Sequence, residues 1–138
     1  SPGASFHGLK FNIHSNAHLI RSMQEGVVFS FYYGMQIMEE IGLEPGIIRA
    51  GKANMFLSPV FRDTLAGISD LPIELYDTDG AQGAARAAAY GQGFYSTLKE
   101  AYTGLERLEV ILPDKNHQQA YQDAYAQWLN VNNRLTDM

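Results

Sequence analysis

The first apolar pattern along the chain is a loose alternation over residues 6–13 ("FHGLKFNI"), which predicts a short strand. Leu19, Ile20, Met23, Val27, Phe31, Met38 and Ile41 then recur at helical spacing and predict a helix over about residues 17–41. Asn16 suits its N-cap, since the side chain can accept a hydrogen bond from an orphan amide, and Gly42 with Pro45 beyond it suits its end. The middle, "VVFSFYYGM", is apolar on nearly every face, so this helix is expected to be central and packed against strands. Residues 46–50 read as a short buried strand, and Ser58 caps the next helix with Pro59 in its first turn. "PIELY" alternates as a strand, and "DTDGAQGAARAAAYGQG" reads as a turn followed by an Ala-rich helix whose small residues permit close packing. Residues 94–103 predict another short helix, 113–116 a turn, and Tyr121, Tyr125, Trp128 and Leu129 an apolar stripe on a final helix. Strand, long helix, strand, helix, strand, helix is the order of an α/β fold, with residues 105–138 as a C-terminal helical extension.

Composition narrows the class without naming a function. A chain of 138 residues and 15.3 kDa is one domain or a piece of a larger one, and 46% hydrophobic residues supply a core. The net charge of -5, with no Lys/Arg cluster, argues against a nucleic-acid surface. Without cysteine there is no disulfide framework, thiolate metal site or thiol nucleophile, which fits a reducing cytoplasm. No apolar run approaches the roughly 18–20 residues that span a bilayer, and no signal peptide is legible. The start at Ser1, without methionine, is expected either after initiator removal or in a segment of a longer protein.

Two glycine-bearing loops carry the candidate chemistry. Gly51-Lys52-Ala53-Asn54 follows one strand and precedes the helix entered at Ser58; Asp79-Gly80-Ala81-Gln82-Gly83-Ala84-Ala85 follows the next strand and opens the Ala-rich helix. Glycine after a strand lets backbone amides approach a phosphate, a helix N-terminus adds favourable partial charge, and a lysine supplies a mobile cation. Each loop alone is more often a tight turn than a ligand site. Two at successive strand ends bring the two readings closer to even. Neither is a P-loop, and "GQGFYS" lacks the third glycine of a dinucleotide fingerprint. His7, His14 and His18 crowd the N-terminal region, but no third ligand follows a zinc motif, so no metal site is read. No nucleophile elbow is present. Glu39 and Glu40 face different ways on a helix, and Tyr32, Tyr33, Tyr121, Tyr125 and Trp128 suit packing better than a pocket.

"SFHGLKFNIHSNAHLIRSMQEGVVFSF" resembles the start of the C-terminal domain of FGGY carbohydrate kinases, through Phe6, Gly8, Leu9, His18, Leu19, Arg21, Glu25, Gly26, Val27 and Phe29. "SPVFRDTLAGISDLPIEL" and "DGAQGAARAAAYGQG" are similar to later segments of the same family, so the resemblance covers about residues 4–104. Xylulokinase-like members are nearest. The resemblance implies a ribonuclease-H-like, actin-like ATPase lobe, the C-terminal half of a two-lobe sugar kinase, with ATP and Mg held between the lobes. It implies that Gly51, Lys52, Ala53, Asn54, Ser58, Gly80 and Gly83 bind the nucleotide, although Lys52 stands where the family usually has a second glycine. The sugar pocket and catalytic aspartate of the family lie upstream; no residue here matches them, so no catalytic residue is assigned and the chain alone is expected to be inactive. The expected partners are ATP or ADP and, through the other lobe, a ketopentose such as xylulose; no nucleic acid or membrane is expected, and a homodimer is possible. A non-catalytic actin-like binding module, or a ribulose, gluconate or glycerol kinase of the same family, stays open as an alternative.

Overall fold

A computed structural model describes residues 3–136. The chain begins with an irregular segment; residues 6–13, expected as a strand, form only bends and turns. The alternation there is broken by Gly8 at φ +73°, and Phe11 is left almost fully exposed, with no sheet edge for it to cover. Helix α1 (Asn16–Glu40) starts one residue earlier than expected, with Ser15 rather than Asn16 at the N-cap. The Ser15 amide donates to His18 Nδ1 at 3.1 Å, and its hydroxyl lies 2.9 Å from the same nitrogen. His18 thereby fills the place that Glu or Gln usually takes in a capping box. At the far end Gly42 takes φ +85°, with Gly42 N–H donating to the Glu39 carbonyl and Leu43 N–H to that of Met38. These two bonds make a Schellman stop that a side chain at residue 42 would strain.

Strand β1 (Ile48–Gly51), a 3₁₀ turn (Asn54–Leu57), helix α2 (Pro59–Ser69) and strand β2 (Ile73–Tyr76) form one βαβ unit. Helix α3 (Gly80–Gly91), the single-turn α4 (Leu98–Ala101), strand β3 (Arg107–Ile111) and helix α5 (Gln118–Thr136) complete the chain. The short helix expected over residues 94–103 is reduced to α4, because Gly93 at φ +79° delays its start until Thr97 can cap it. The sheet runs β1-β2-β3, with β1 parallel and β3 antiparallel to the central β2. Residues 105–138 are therefore not a purely helical extension. Their first part is a sheet strand, and only the remainder is helix.

The core lies between this sheet and three helices, and α2 is its centre. Phe61, Thr64, Leu65, Ala66, Gly67 and Ile68 of α2 are all buried, against Ile73 and Leu75 of the sheet. Helix α1 packs mainly on α2 and α5 and so does not take the expected central seat on the strands. It buries Val28, Phe29 and Met35 only. A neighbouring stripe, Ile20, Met23, Val27, Phe31 and Met38, remains exposed, Phe31 at 54%. Tyr121 and Tyr125 of α5 are buried as the apolar stripe predicts, Tyr125 stacked on Trp128 and donating its hydroxyl to Gln36 Oε1 at 2.5 Å.

Gly67 is where α2 and α5 approach most closely: a methyl group there would lie 2.6 Å from the Tyr121 ring. Gly67→Ala is expected to push the ring and α5 outward and to lower stability by roughly 1–3 kcal/mol, the usual cost of overpacking. Urea denaturation monitored at Trp128 checks this; an unchanged midpoint would show that α5 moves freely.

Candidate functional site

The parallel pairing of β1 with β2 brings both glycine loops to one edge of the sheet, as neighbouring strand ends require. Gly51 is paired with Tyr76, and the Tyr76 carbonyl accepts from the amides of both Lys52, at 2.9 Å, and Thr78, at 2.8 Å. One carbonyl oxygen thus ties the two loops together. Asn54 completes the first loop at φ +51°, a left-handed conformation that asparagine tolerates better than most residues. The second loop ends at Asp79, whose Oδ1 accepts from Gln82 N–H at 2.8 Å and caps α3. Because a helix start leaves its first amides without intrahelical partners, those of Gly80 and Ala81 are left directed out of this end.

Beside the two loops lies a cleft of about 970 Å³. Of the residues singled out in the sequence, Gly51, Ala53, Asn54, Gly80 and Gly83 line it. Lys52 and Ser58 do not. The Lys52 ammonium is turned to Glu109 on β3, 3.0 Å from Oε2, and the Ser58 hydroxyl donates to Gln24 of α1 at 2.5 Å. The sequence reading missed the aromatic wall of Phe31, Phe56 and Phe61, in which Phe61 meets the other two edge-on at 6.0 and 5.2 Å. It also missed Arg49, Thr78 and Tyr102. The Tyr102 hydroxyl donates to the Gly83 carbonyl, and Arg86 holds the carbonyls of Ala101 and Thr103, so α3 and α4 form the far wall. Arg49 was legible as the one cation in a buried-strand pattern.

At Gly51 the two loops come into close backbone contact. A Cβ atom there would lie 2.2 Å from the Thr78 carbonyl oxygen, so the glycine makes room for the neighbouring loop. Gly80 and Gly83, by contrast, have open space where a side chain would go. The start of α3 is therefore open where Gly80 and Gly83 lie, whereas β1 is in close backbone-to-backbone contact at Gly51.

The outer face of the sheet is held by an ion cluster. Glu74, 8% exposed on the central strand, accepts from the Tyr76 hydroxyl at 2.7 Å, Arg107 Nη1 at 2.8 Å and Arg49 Nε at 3.0 Å. The Tyr76 hydroxyl first, then the two guanidinium groups, pull its carboxyl down from 4.5 to about 2. Arg49 and Tyr76 also line the cleft, so Glu74 fixes part of its wall.

The fold matches one segment of solved sugar kinase structures. No family model matches the chain. It is 35% identical over 133 residues to the L-xylulose/3-keto-L-gulonate kinase of Escherichia coli (strain K12), a match that covers 93% of this chain and 26% of that protein. The xylulose kinase structure from Rhodospirillum rubrum superposes with a TM-score of 0.77 at 25% identity, over 96% of this chain and 27% of its own. The gluconate kinase structure from Lactobacillus acidophilus follows with a TM-score of 0.75 at 23% identity, over 95% and 27%. The chain spans about a quarter of the length of the relatives it matches. The carbohydrate kinase resemblance drawn from the sequence holds, with xylulose kinases prominent among these relatives.

Two predictions follow the geometry. Because the Glu74 carboxyl is lowered in the folded state, its contribution is fully present above pH 4.5 and is lost as pH falls towards about 2. Acid denaturation of the wild-type chain is expected to show this component and Glu74→Gln to lack it, as circular dichroism between pH 6 and pH 2 would reveal. Gly51→Ala is expected to part the loops and cost roughly 1–3 kcal/mol. Gly83→Ala is expected to leave stability unchanged or raise it by up to about 1 kcal/mol, since alanine favours the helix. Equal effects of the two in urea titrations would contradict this division of roles.

Proposed function

We propose that this chain is the nucleotide-side lobe of an ATP-dependent carbohydrate kinase of the FGGY type. In this reading it is an actin-like, ribonuclease-H-like unit, the C-terminal half of a two-lobe cytoplasmic enzyme that phosphorylates a ketopentose such as xylulose. The observation that carries the proposal is the convergence of two glycine loops on one sheet edge beside a cleft of about 970 Å³. The amides of Gly80 and Ala81, at the positive end of α3, would receive phosphate oxygens. Gly83 leaves the backbone of that helix open to a close ligand, and the Phe31–Phe56–Phe61 wall offers flat apolar surface for a base. Asp79 places a carboxylate on the same rim, which favours a nucleotide whose phosphates arrive neutralised by Mg over a bare one.

Phosphoryl transfer also requires a base within hydrogen-bond reach of the sugar hydroxyl and a second wall to position the sugar. In this proposal both come from the other lobe. The relative named for L-xylulose and the xylulose kinase fold match support the ketopentose. A sugar acid is the second reading, favoured by the fold match to gluconate kinase.

Calorimetric titration of the purified chain with Mg-ADP and Mg-ATP tests the proposal. Binding is expected. Gly83→Val, which would fill open space at the cleft without a clash, is expected to weaken it by roughly tenfold, or about 1.4 kcal/mol. No xylulose-dependent ADP release is expected from the chain alone. Absence of nucleotide binding by the folded chain would overturn the proposal.

A further inference from the structure

Lys52 sits between Gly51 and Ala53, both of which line the cleft, yet its ammonium rests on Glu109 outside it. Glu109 Oε2 lies 3.0 Å from Lys52 Nζ and 3.0 Å from Arg62 Nη1. A single carboxylate oxygen therefore faces two cations, and the cluster carries one positive charge in excess. The two cations are not equivalent. The Arg62 side chain is 14% exposed and belongs to α2 at the centre of the core, whereas that of Lys52 is 38% exposed and belongs to a loop. Arg62 has a fixed fork of donors, while lysine carries a compact charge on a flexible stem.

We propose that Lys52 is an exchangeable cation of the cleft: it rests on Glu109 and transfers to the phosphates of a bound nucleotide, while Arg62 remains to neutralise Glu109. The inference rests on the reading of the cleft as a nucleotide site. Release from Glu109 is inexpensive, because an exposed ion pair contributes little and the carboxylate keeps its more buried partner. Contact with a phosphate gains a charge-assisted hydrogen bond to an ion of higher charge. Glu109 is then a competitor of the ligand, and this fixes the sign of its effect. If Lys52 only tethered its loop to β3, loss of the Glu109 charge would loosen the loop and leave nucleotide affinity unchanged or weaker. If Lys52 exchanges, the same loss frees a cation for the phosphates and strengthens binding.

The experiment is calorimetric titration of Mg-ATP into the wild-type chain, Glu109→Gln, Lys52→Met and the double variant, with urea denaturation to show that each is folded. Glu109→Gln keeps an oxygen that can accept from Arg62. It is expected to bind roughly threefold more tightly, on the scale of an exposed ion pair. Lys52→Met is expected to bind roughly threefold more weakly, and the double variant to match Lys52→Met. Unchanged or weaker binding by Glu109→Gln, or a Glu109→Gln gain that persists without Lys52, would overturn the exchange while leaving the nucleotide reading in place. A folded wild-type chain that binds no Mg-ATP would overturn both.

Discussion

The carbonyl oxygen of Tyr76 accepts the amides of Lys52 and Thr78 at once, and the arrangement of the cleft hangs on that shared acceptor. It can reach both only because β1 and β2 run parallel and end level, and because residue 51 has no side chain to hold the loops apart. Parallel strands need a crossover, and α2 supplies it while also filling the core. Burial of Phe61, Leu65 and Ile68 against Ile73 and Leu75 thus supports the loop geometry directly. Hydrophobic packing sets the register, register sets the loop ends, and the loop ends set which amides face outward.

Much of this was legible in the residues. Ser58-Pro59 marks the start of α2, "PIELY" marks β2, and the Ala-rich run after the Asp79-Gly80 turn marks α3. The glycine loops could be located because strand ends followed by helix starts leave a recognisable pattern. What misled was charge facing inward. In β3 ("RLEVI") Leu108 and Val110 are exposed, while Glu109 points back to Arg62 and Lys52, so the alternation runs opposite to the usual rule. The uniformly apolar α1 misled in the other direction: its residues satisfy the pattern of a fully covered helix, yet only one stripe is covered. Periodicity reports what a helix can bury, not how many neighbours it has. Phe31, Phe56 and Tyr102 were missed because aromatic residues meet at a cleft from distant parts of the chain, without local spacing to announce it.

The acidic balance of the chain is also less visible at the sheet than its net charge suggests. Glu74 is claimed by two arginines, Glu109 by Arg62 and Lys52, and Asp70 at the end of α2 by Lys115. These pairs link β1, α2, β2, β3 and the segment before α5, so the carboxylates nearest the core bind the layers together. The Glu74 and Glu109 sites each bring two cations to one acid. An anion at this edge therefore meets less repulsion than a net charge of -5 implies.

The exposed stripe of α1 has a consequence for the chain as a colloid. Ile20, Met23, Val27, Phe31 and Met38 form an adhesive strip along one helix, and the surplus negative charge keeps such strips apart. The two effects respond differently to electrolyte. Added salt shortens the reach of charge repulsion to roughly 8 Å at physiological ionic strength, whereas apolar attraction survives and is strengthened by sulfate or phosphate. Concentrated solutions of this chain are therefore expected to be clearest at low ionic strength, with added salt favouring cohesion along α1.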